Sequence, residues 1–210
     1  MHPNPAFRTE PEDRNIGFAR ERAFGTLAVN GPDAPLTAHV PFLLSENGAQ
    51  AELHLVRSNP IVRVAKSGSP AALTILGPDG YISPDWYGVP DQVPTWNYVA
   101  VRITGQLELA PQETLHGTLD RLSAHFEDQL LPKPPWLTTK MSDGVMERMM
   151  RMIVPLTIKV TQIDATWKLG QNKPDAARVS AAEHMAAFGL GTDTKMLAAL
   201  MQGASSENAK

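Results

Sequence analysis

The sequence predicts a mainly-β chain with added helices: a small antiparallel barrel, closed or partly closed, carrying peripheral helices. Short runs rich in Val, Leu and Thr follow one another between turn signals, as in a meander. The stretch 97–109 (NYVAVRITGQLEL) sets Val99, Val101 and Ile103 against Ala100, Arg102 and Thr104, the period of two of a half-buried strand. Helical patterns come late and as insertions, so there is no regular βαβ succession. Neither GxGxxG nor GxxxxGK[ST] occurs, which excludes a Rossmann sheet and a P-loop.

In chain order, Pro11-Glu12-Asp13 precedes an apolar-periodic stretch, 16–23, and acidic residues with a proline at its front predict a helix N-terminus. Three strands are expected next, FGTLAVN, APLTAHVPFLL and AELHLVR, split by Asn30-Gly31-Pro32-Asp33 and Glu46-Asn47-Gly48. Pro41 inside the second predicts an edge, a bulge or a bend. Asn59-Pro60 reads as an N-cap followed by a first-turn proline, opening a helix to about Lys66. A strand over 71–76 follows, then a proline-stiffened loop over 81–98 that gives way to the strand 97–109. Leu115, Leu119, Leu122, Phe126 and Leu130 form one helical stripe, and 145–153 reads as a further helix capped by Ser142 or Asp143. Leu156, Ile158 and Val160 alternate with polar residues as a last strand. The tail is helical in two pieces, 179–188 and 194–201, with 203–210 expected to fray. The expected organisation is a barrel domain over 1–173 and a helical tail over 174–210 packed on the barrel or on a dimer partner.

Composition narrows the chemistry. With 210 residues, 42% of them apolar, the chain can bury a real core. No apolar run reaches bilayer length, and the start, MHPNPAFRTEPEDR, lacks a secretory signal's basic and apolar regions. There is no cysteine, so disulfides, thiolate metal sites and thiol nucleophiles are out, and the cytoplasm is the expected location. A net charge of −3 and a pI near 6.1 argue against direct nucleic-acid binding, which needs a basic footprint. The six histidines show no HExxH and no i, i+4 pair, so no zinc site is expected. No GxSxG elbow appears either, and no catalytic residue can be named.

Three stretches could carry a ligand. In LHLVRSNP a strand ends at Arg57-Ser58 and a helix begins at once. Arg57, Ser58 and the helix start through Asn59 could cradle a phosphate, although a surface arginine beside an ordinary Asn-Pro cap is the commoner arrangement. The segment YISPDWYGVPDQVPTWNY holds two of the four tryptophans and all three tyrosines. It could present a platform for a flat ring, with Thr95 and Asn97 to bond polar atoms, or it could be a loop pinned by aromatic anchors. TWKLGQNK offers Lys168, Gln171, Asn172 and Lys173, two cations and two amides at a strand exit. His39, alone on a strand, reads first as a structural residue, and the paired methionines Met149-Met150 as gap fillers.

Taken in order, GTL, AHVPF, HLVRSNP, GPDGYISPDWY, VPTWNY and WKLGQNK resemble the successive motifs of the PaiB-like "FMN-binding negative transcriptional regulator" family, from about Phe24 to Lys173. Any one of these is weak; the ordered set is specific. The resemblance implies a six-stranded antiparallel split β-barrel, similar to pyridoxamine-phosphate oxidase and flavin reductase barrels, with FMN at the interface of a homodimer. It makes Arg57, Ser58 and Asn59 candidates for the phosphate end, places His39 along the flavin, and sets Ser83, Trp86, Thr95, Trp96 and Asn97 against the ring or ribityl side. Lys168, Gln171 and Asn172 would close the site, from either chain. Gly170 departs from the serine expected in this motif, which removes one hydroxyl, and 88–93 looks shorter than the basic loop of some relatives.

Four functions follow from the resemblance and the residues. The first is an FMN-binding negative regulator of transcription, acting directly or indirectly. The second is a flavin reductase or other oxidoreductase using NAD(P)H or another small molecule, with His39 and Tyr87 as acid–base candidates. A haem-handling barrel with His39 or His54 on iron is a third. A barrel without cofactor that serves as a binding module is the fourth, against which the Arg57 cluster and the aromatic loop speak.

Overall fold

The computed structural model describes residues 1–204. The expected fraying of 203–210 lies, from residue 205 on, outside them. The described chain forms a closed six-stranded antiparallel barrel with a short seventh strand outside it and six α-helices. Contacts divide it into two compact units. The first comprises Met1–Asn15, Leu76–Arg102 and Asp164–Lys210, and the second Ile16–Ile75 and Ile103–Ile163.

The second unit holds the barrel closure. Its strands are β1 (Phe24–Val29), β2 (Leu36–Leu44) and β3 (Gln50–Val56), with parts of β4 (Ser69–Ile82), β5 (Thr95–Leu109) and β6 (Ile153–Lys168). The order β1-β2-β3-β6-β5-β4 closes through a β1–β4 ladder in which Thr26 faces Thr74. Alternation puts Leu27, Phe42, Leu53, Leu73, Ile103 and Ile158 inside, each fully buried. The β2–β3 turn is built by its sequence: Ser45 Oγ accepts from Gln50 N–H at 3.0 Å, Asn47 Oδ1 from Ala49 N–H at 3.1 Å, and Gly48 takes φ +69°. Pro41 sits where β2 changes partner, opposite Phe24 in β1 while the next residue, Phe42, faces Leu53 in β3. Its missing N–H costs least at such a switch. Gly105 marks a close approach, since a Cβ there would lie 2.1 Å from the Lys159 carbonyl oxygen.

Helix α2 (Pro60–Ala65) starts as its Asn-Pro pair predicts, and α3 (Leu115–Asp128) follows β5. The α3 stripe is corrected: Leu115, Thr118 and Leu122 are its buried residues, and Leu130 lies beyond the helix and is exposed. Thr118 can sit on that face because its hydroxyl donates to Glu52 at 3.0 Å, a carboxylate that Arg121 also holds. α4 (Val145–Met150) is shorter than expected, and its cap is Gly144 in the left-handed region rather than Ser142 or Asp143.

In the first unit, the ends of β4, β5 and β6 meet α5 (Asp175–Phe188), β7 (Gly191–Thr192) and α6 (Thr194–Gly203). α1 (Glu12–Arg22) begins here, four residues before the predicted start, directly after Pro11. β4 overruns its predicted end through Gly77-Pro78-Asp79-Gly80, because β7 pairs with it there and the Leu190 carbonyl accepts from Tyr81 N–H at 2.9 Å. Small residues on α5, Ala181 and Ala182, let α6 close in with Leu197 and Met201 fully buried. The guanidinium of Arg178 crosses between the two helices, bonding the Met201 and Gln202 carbonyls and Asp175. It occupies the C-terminal end of α6, where a cation is favoured.

Candidate functional site

The end of β6 and the turn after it shape a cavity of the first unit. Gly170 adopts φ +84°, a region that favours glycine and where a serine would be strained. This gives a conformational reason for the residue that departs from the family motif. Gln171 staples the turn: its side-chain oxygen accepts from Leu169 N–H at 2.8 Å and its amide donates to the Trp167 carbonyl at 2.6 Å. Trp167, buried, donates its indole N–H to Asn15 at 2.8 Å. A rigid corner thus projects Lys168 on one side and Asn172 and Lys173 on the other.

These residues enclose about 260 Å³ together with Thr95, Asn97, Tyr87 and Val93 from the β4–β5 connection and β5, and His2, Asn4 and Phe7 from the N-terminal segment. Lys168 Nζ donates to Thr95 Oγ1 at 2.5 Å and lies 5.9 Å from the Phe7 ring centre. Lys173 Nζ donates to Gln92 Oε1 at 2.6 Å and lies 5.2 Å from the Tyr87 ring centre, a cation–π distance. Burial, then the charge of Lys173, holds the Lys168 ammonium below the usual lysine range. Burial, Lys168 and the N-terminal amine lower His2, and burial raises Tyr87. The His2 and Lys168 directions report a space that disfavours further positive charge, whereas that of Tyr87 reports burial alone, which disfavours its phenolate. Among the described residues neither lysine belongs to an ion pair.

Four residues expected at the flavin therefore line this cavity: Thr95, Asn97, Lys168 and Asn172. Gln171 acts one step behind it, as the staple. Trp86 turns away from it: its ring stacks with His184 of α5 at 5.9 Å and 12°, and its carbonyl accepts from Ser180 at 2.8 Å. Ser83 opens the short 3-10 turn Pro84–Tyr87. Trp96 is half exposed and meets Tyr81 edge-on.

The other expected residues belong to the second unit. His39 is exposed and its Nδ1 is 3.0 Å from Thr26 Oγ1. Arg57 donates to the carbonyls of Arg151 at 3.0 Å and Ile153 at 3.2 Å and to Gln112. Asn59 Oδ1 accepts from Ile61 N–H at 2.9 Å and its carbonyl from Val62 N–H at 3.0 Å. Since Pro60 has no N–H, the start of α2 has its first donors engaged within the chain. His54, on β3, has a buried Nδ1 without a hydrogen-bond partner, and burial lowers its pKa.

Sequence reading missed the N-terminal wall of the cavity. The one signal for it was the Asn4-Pro5 pair, a cap-and-turn signature: Asn4 Oδ1 does accept from Ala6 N–H, at 2.9 Å, and the turn buries Phe7.

The cavity's donor set suits a flavin mononucleotide's polar end, with two ammonium groups lacking a carboxylate, the Thr95 hydroxyl, three amides and aromatic walls. A closed six-stranded barrel of this kind is the fold of the flavin-binding split barrels. Its solved relatives include the FAD- and haem-binding protein of Mycobacterium smegmatis (TM-score 0.56, 16% identity, 87% of this chain and 80% of that one). They also include the flavocytochrome Anf3 of Azotobacter vinelandii (TM-score 0.53, 8% identity, 75% and 68%). Residues 1–162 match the family described as "Putative FMN-binding domain", and the chain belongs to that family. FMN is the cofactor this membership assigns. The Bacillus subtilis "Protease synthase and sporulation protein PAI 2" is 28% identical over 181 residues, 85% of this chain and 86% of that protein, which bears out the PaiB-like resemblance.

Proposed function

We propose that the protein is a PaiB-like regulator that carries FMN, works as a homodimer in the cytoplasm and affects transcription through the state of its flavin. The observation that carries the cofactor reading is the meeting of two stretches 73 residues apart, at Thr95 and Lys168, around a cavity with two uncompensated ammonium groups. Thr95, Asn97, Asn172 and the two lysines would hold the cofactor's polar end; Tyr87 and Phe7 would wall it. Bound FMN would supply reversible one- and two-electron chemistry, while these residues bind, orient and shield it from water. The regulatory role comes from the B. subtilis relative, whose name ties it to protease synthesis and sporulation. An acidic chain that gathers two of its cations inside a cavity favours an indirect route over DNA contact.

The test is a visible absorbance spectrum during FMN titration, with molar mass measured alongside. Saturation at one FMN per chain and a dimeric mass are expected; an unchanged flavin spectrum would remove the cofactor. A specific shift of operator DNA at physiological salt would make regulation direct. Rapid bleaching of the bound flavin by NADPH would favour a flavin reductase or oxidoreductase instead.

A further inference from the structure

We propose that Lys168 is a nucleophilic amine and that the cavity around it binds a small α-keto acid covalently, as an imine. Water or a nearby carboxylate normally keeps a lysine protonated. The residues that enclose this space include neither aspartate nor glutamate. The Phe7 ring centre lies 5.9 Å from Nζ, and a second ammonium, Lys173, shares the cavity. An apolar wall and a neighbouring cation are the two surroundings that free a lysine's lone pair near neutral pH. The lowered pKa of Lys168, caused by burial and then by Lys173, agrees. Nζ donates one N–H to Thr95 Oγ1 at 2.5 Å, which positions the amine and leaves its other directions to the cavity.

The rest of the lining selects the carbonyl compound. An α-keto acid carries its carboxylate on the carbon beside the carbonyl, so one small molecule meets both the amine and the cation. Lys173 donates one N–H to Gln92 at 2.6 Å and keeps two for that carboxylate. A neutral aldehyde would leave Lys173 without a counter-charge. A volume of about 260 Å³ is below that of pockets for drug-sized ligands and suits a molecule of a few carbons. The step is a condensation and needs no oxidant. The neutral amine adds to the carbonyl carbon, a C=N bond replaces C=O, and the carbonyl oxygen leaves as water with both amine hydrogens. Loss of that oxygen needs a proton. The Tyr87 phenol, which burial keeps protonated, lines the cavity; it can lend the proton and regain it from the nitrogen. The site goes beyond the FMN reading and does not rest on it. A flavin with its polar end here would cover the amine, so the two ligands compete.

The purified full-length chain is incubated at pH 7 with pyruvate and cyanoborohydride, which reduces an imine to a stable amine. Peptide mass spectrometry then reads every lysine and the N-terminal amine. Lys168 is expected to be modified ahead of all other lysines, and to keep reacting at a lower pH than they do. Lys173→Gln, its fold confirmed by a melting curve, is expected to slow the pyruvate reaction at Lys168 about tenfold, the scale of a charged hydrogen bond. It should slow acetaldehyde, which has no carboxylate, by less. Modification spread evenly over the lysines, or confined to the N-terminal amine, overturns the proposal. Equal slowing of the two probes overturns the keto-acid assignment. The wild-type reaction is repeated with saturating FMN. Suppression at Lys168 supports the placing of the flavin's polar end in this cavity. Undiminished reaction with FMN bound removes the flavin from the cavity and leaves the imine site standing.

Discussion

The two units treat their charges differently. In the barrel unit, three of the cations are spent on the chain itself: Arg57 on backbone carbonyls, Arg121 on Glu52, Lys159 on Glu108 at 2.8 Å. In the first unit some are spent the same way, as Arg8 and Arg102 are on Asp164, but Lys168 and Lys173 are not. They share a cavity with aromatic and amide walls and no counter-ion. Their bonds go to neutral oxygens of Thr95 and Gln92 rather than to carboxylates, and that contrast is what the proposed ligand role rests on.

The largest effect expected on the barrel side is from Gly105→Val. A side chain there would press on the Lys159 carbonyl from 2.1 Å, between paired strands that cannot separate. A loss of more than about 4 kcal/mol is expected, read by urea unfolding. A near-native midpoint would show the β5–β6 approach to be looser than described.

Next comes Arg178→Met in the first unit. It removes a buried guanidinium from the Met201 and Gln202 carbonyls and from Asp175. A cost of about 2–3 kcal/mol is expected by thermal unfolding, the scale for charged hydrogen bonds to buried partners. A cost near zero would mean that α6 is held by Leu197 and Met201 alone.

The lysines should behave in the opposite sense. Lys168→Gln with Lys173→Gln should stabilise the flavin-free protein slightly, by less than about 1 kcal/mol after screening by water, read by thermal unfolding. If the double variant is instead destabilised, the lysines are structural and the contrast between the units fails.

The smallest effect is a pH slope. Burial lowers the pKa of His54 below its ordinary 6.5, so the unfolded chain binds more protons than the folded one just under that value. Stability should therefore fall as pH drops below about 6.5, and His54→Gln should flatten that part of the curve. An unchanged slope would move the acid sensitivity to another group. Lys168 works on the alkaline side: the unfolded chain holds its proton longer, so its contribution to stability rises as pH climbs towards 10.5.

Much of the barrel was legible because its signals are local. Asn47-Gly48 fixes one hairpin, Asn59-Pro60 opens α2, and the alternation of Val99, Val101 and Ile103 marks a buried strand face. β4 and β6 were read too short for a common reason. Gly77-Pro78-Asp79-Gly80 looks like a turn, but β7 and Leu190 supply partners that hold it as strand. Asp164 and Thr166 look like the end of β6, but Arg8, Arg102 and the His2 N–H take up their polar atoms. In both places partners distant in sequence outweighed local preference.

The sequence by itself determined the antiparallel barrel, the family and hence the flavin, because hydrophobic period, turn chemistry and motif order are all local properties of the chain. Tertiary structure decided which of the twelve expected site residues share one space. It joined Thr95, Asn97, Lys168 and Asn172 with the unforeseen His2, Asn4 and Phe7, turned Trp86 onto α5, and tied Arg57 to its own backbone. Charge compensation depends on which groups end up within a few ångströms of each other in a low-dielectric space, and that distance is written nowhere in the order of the residues.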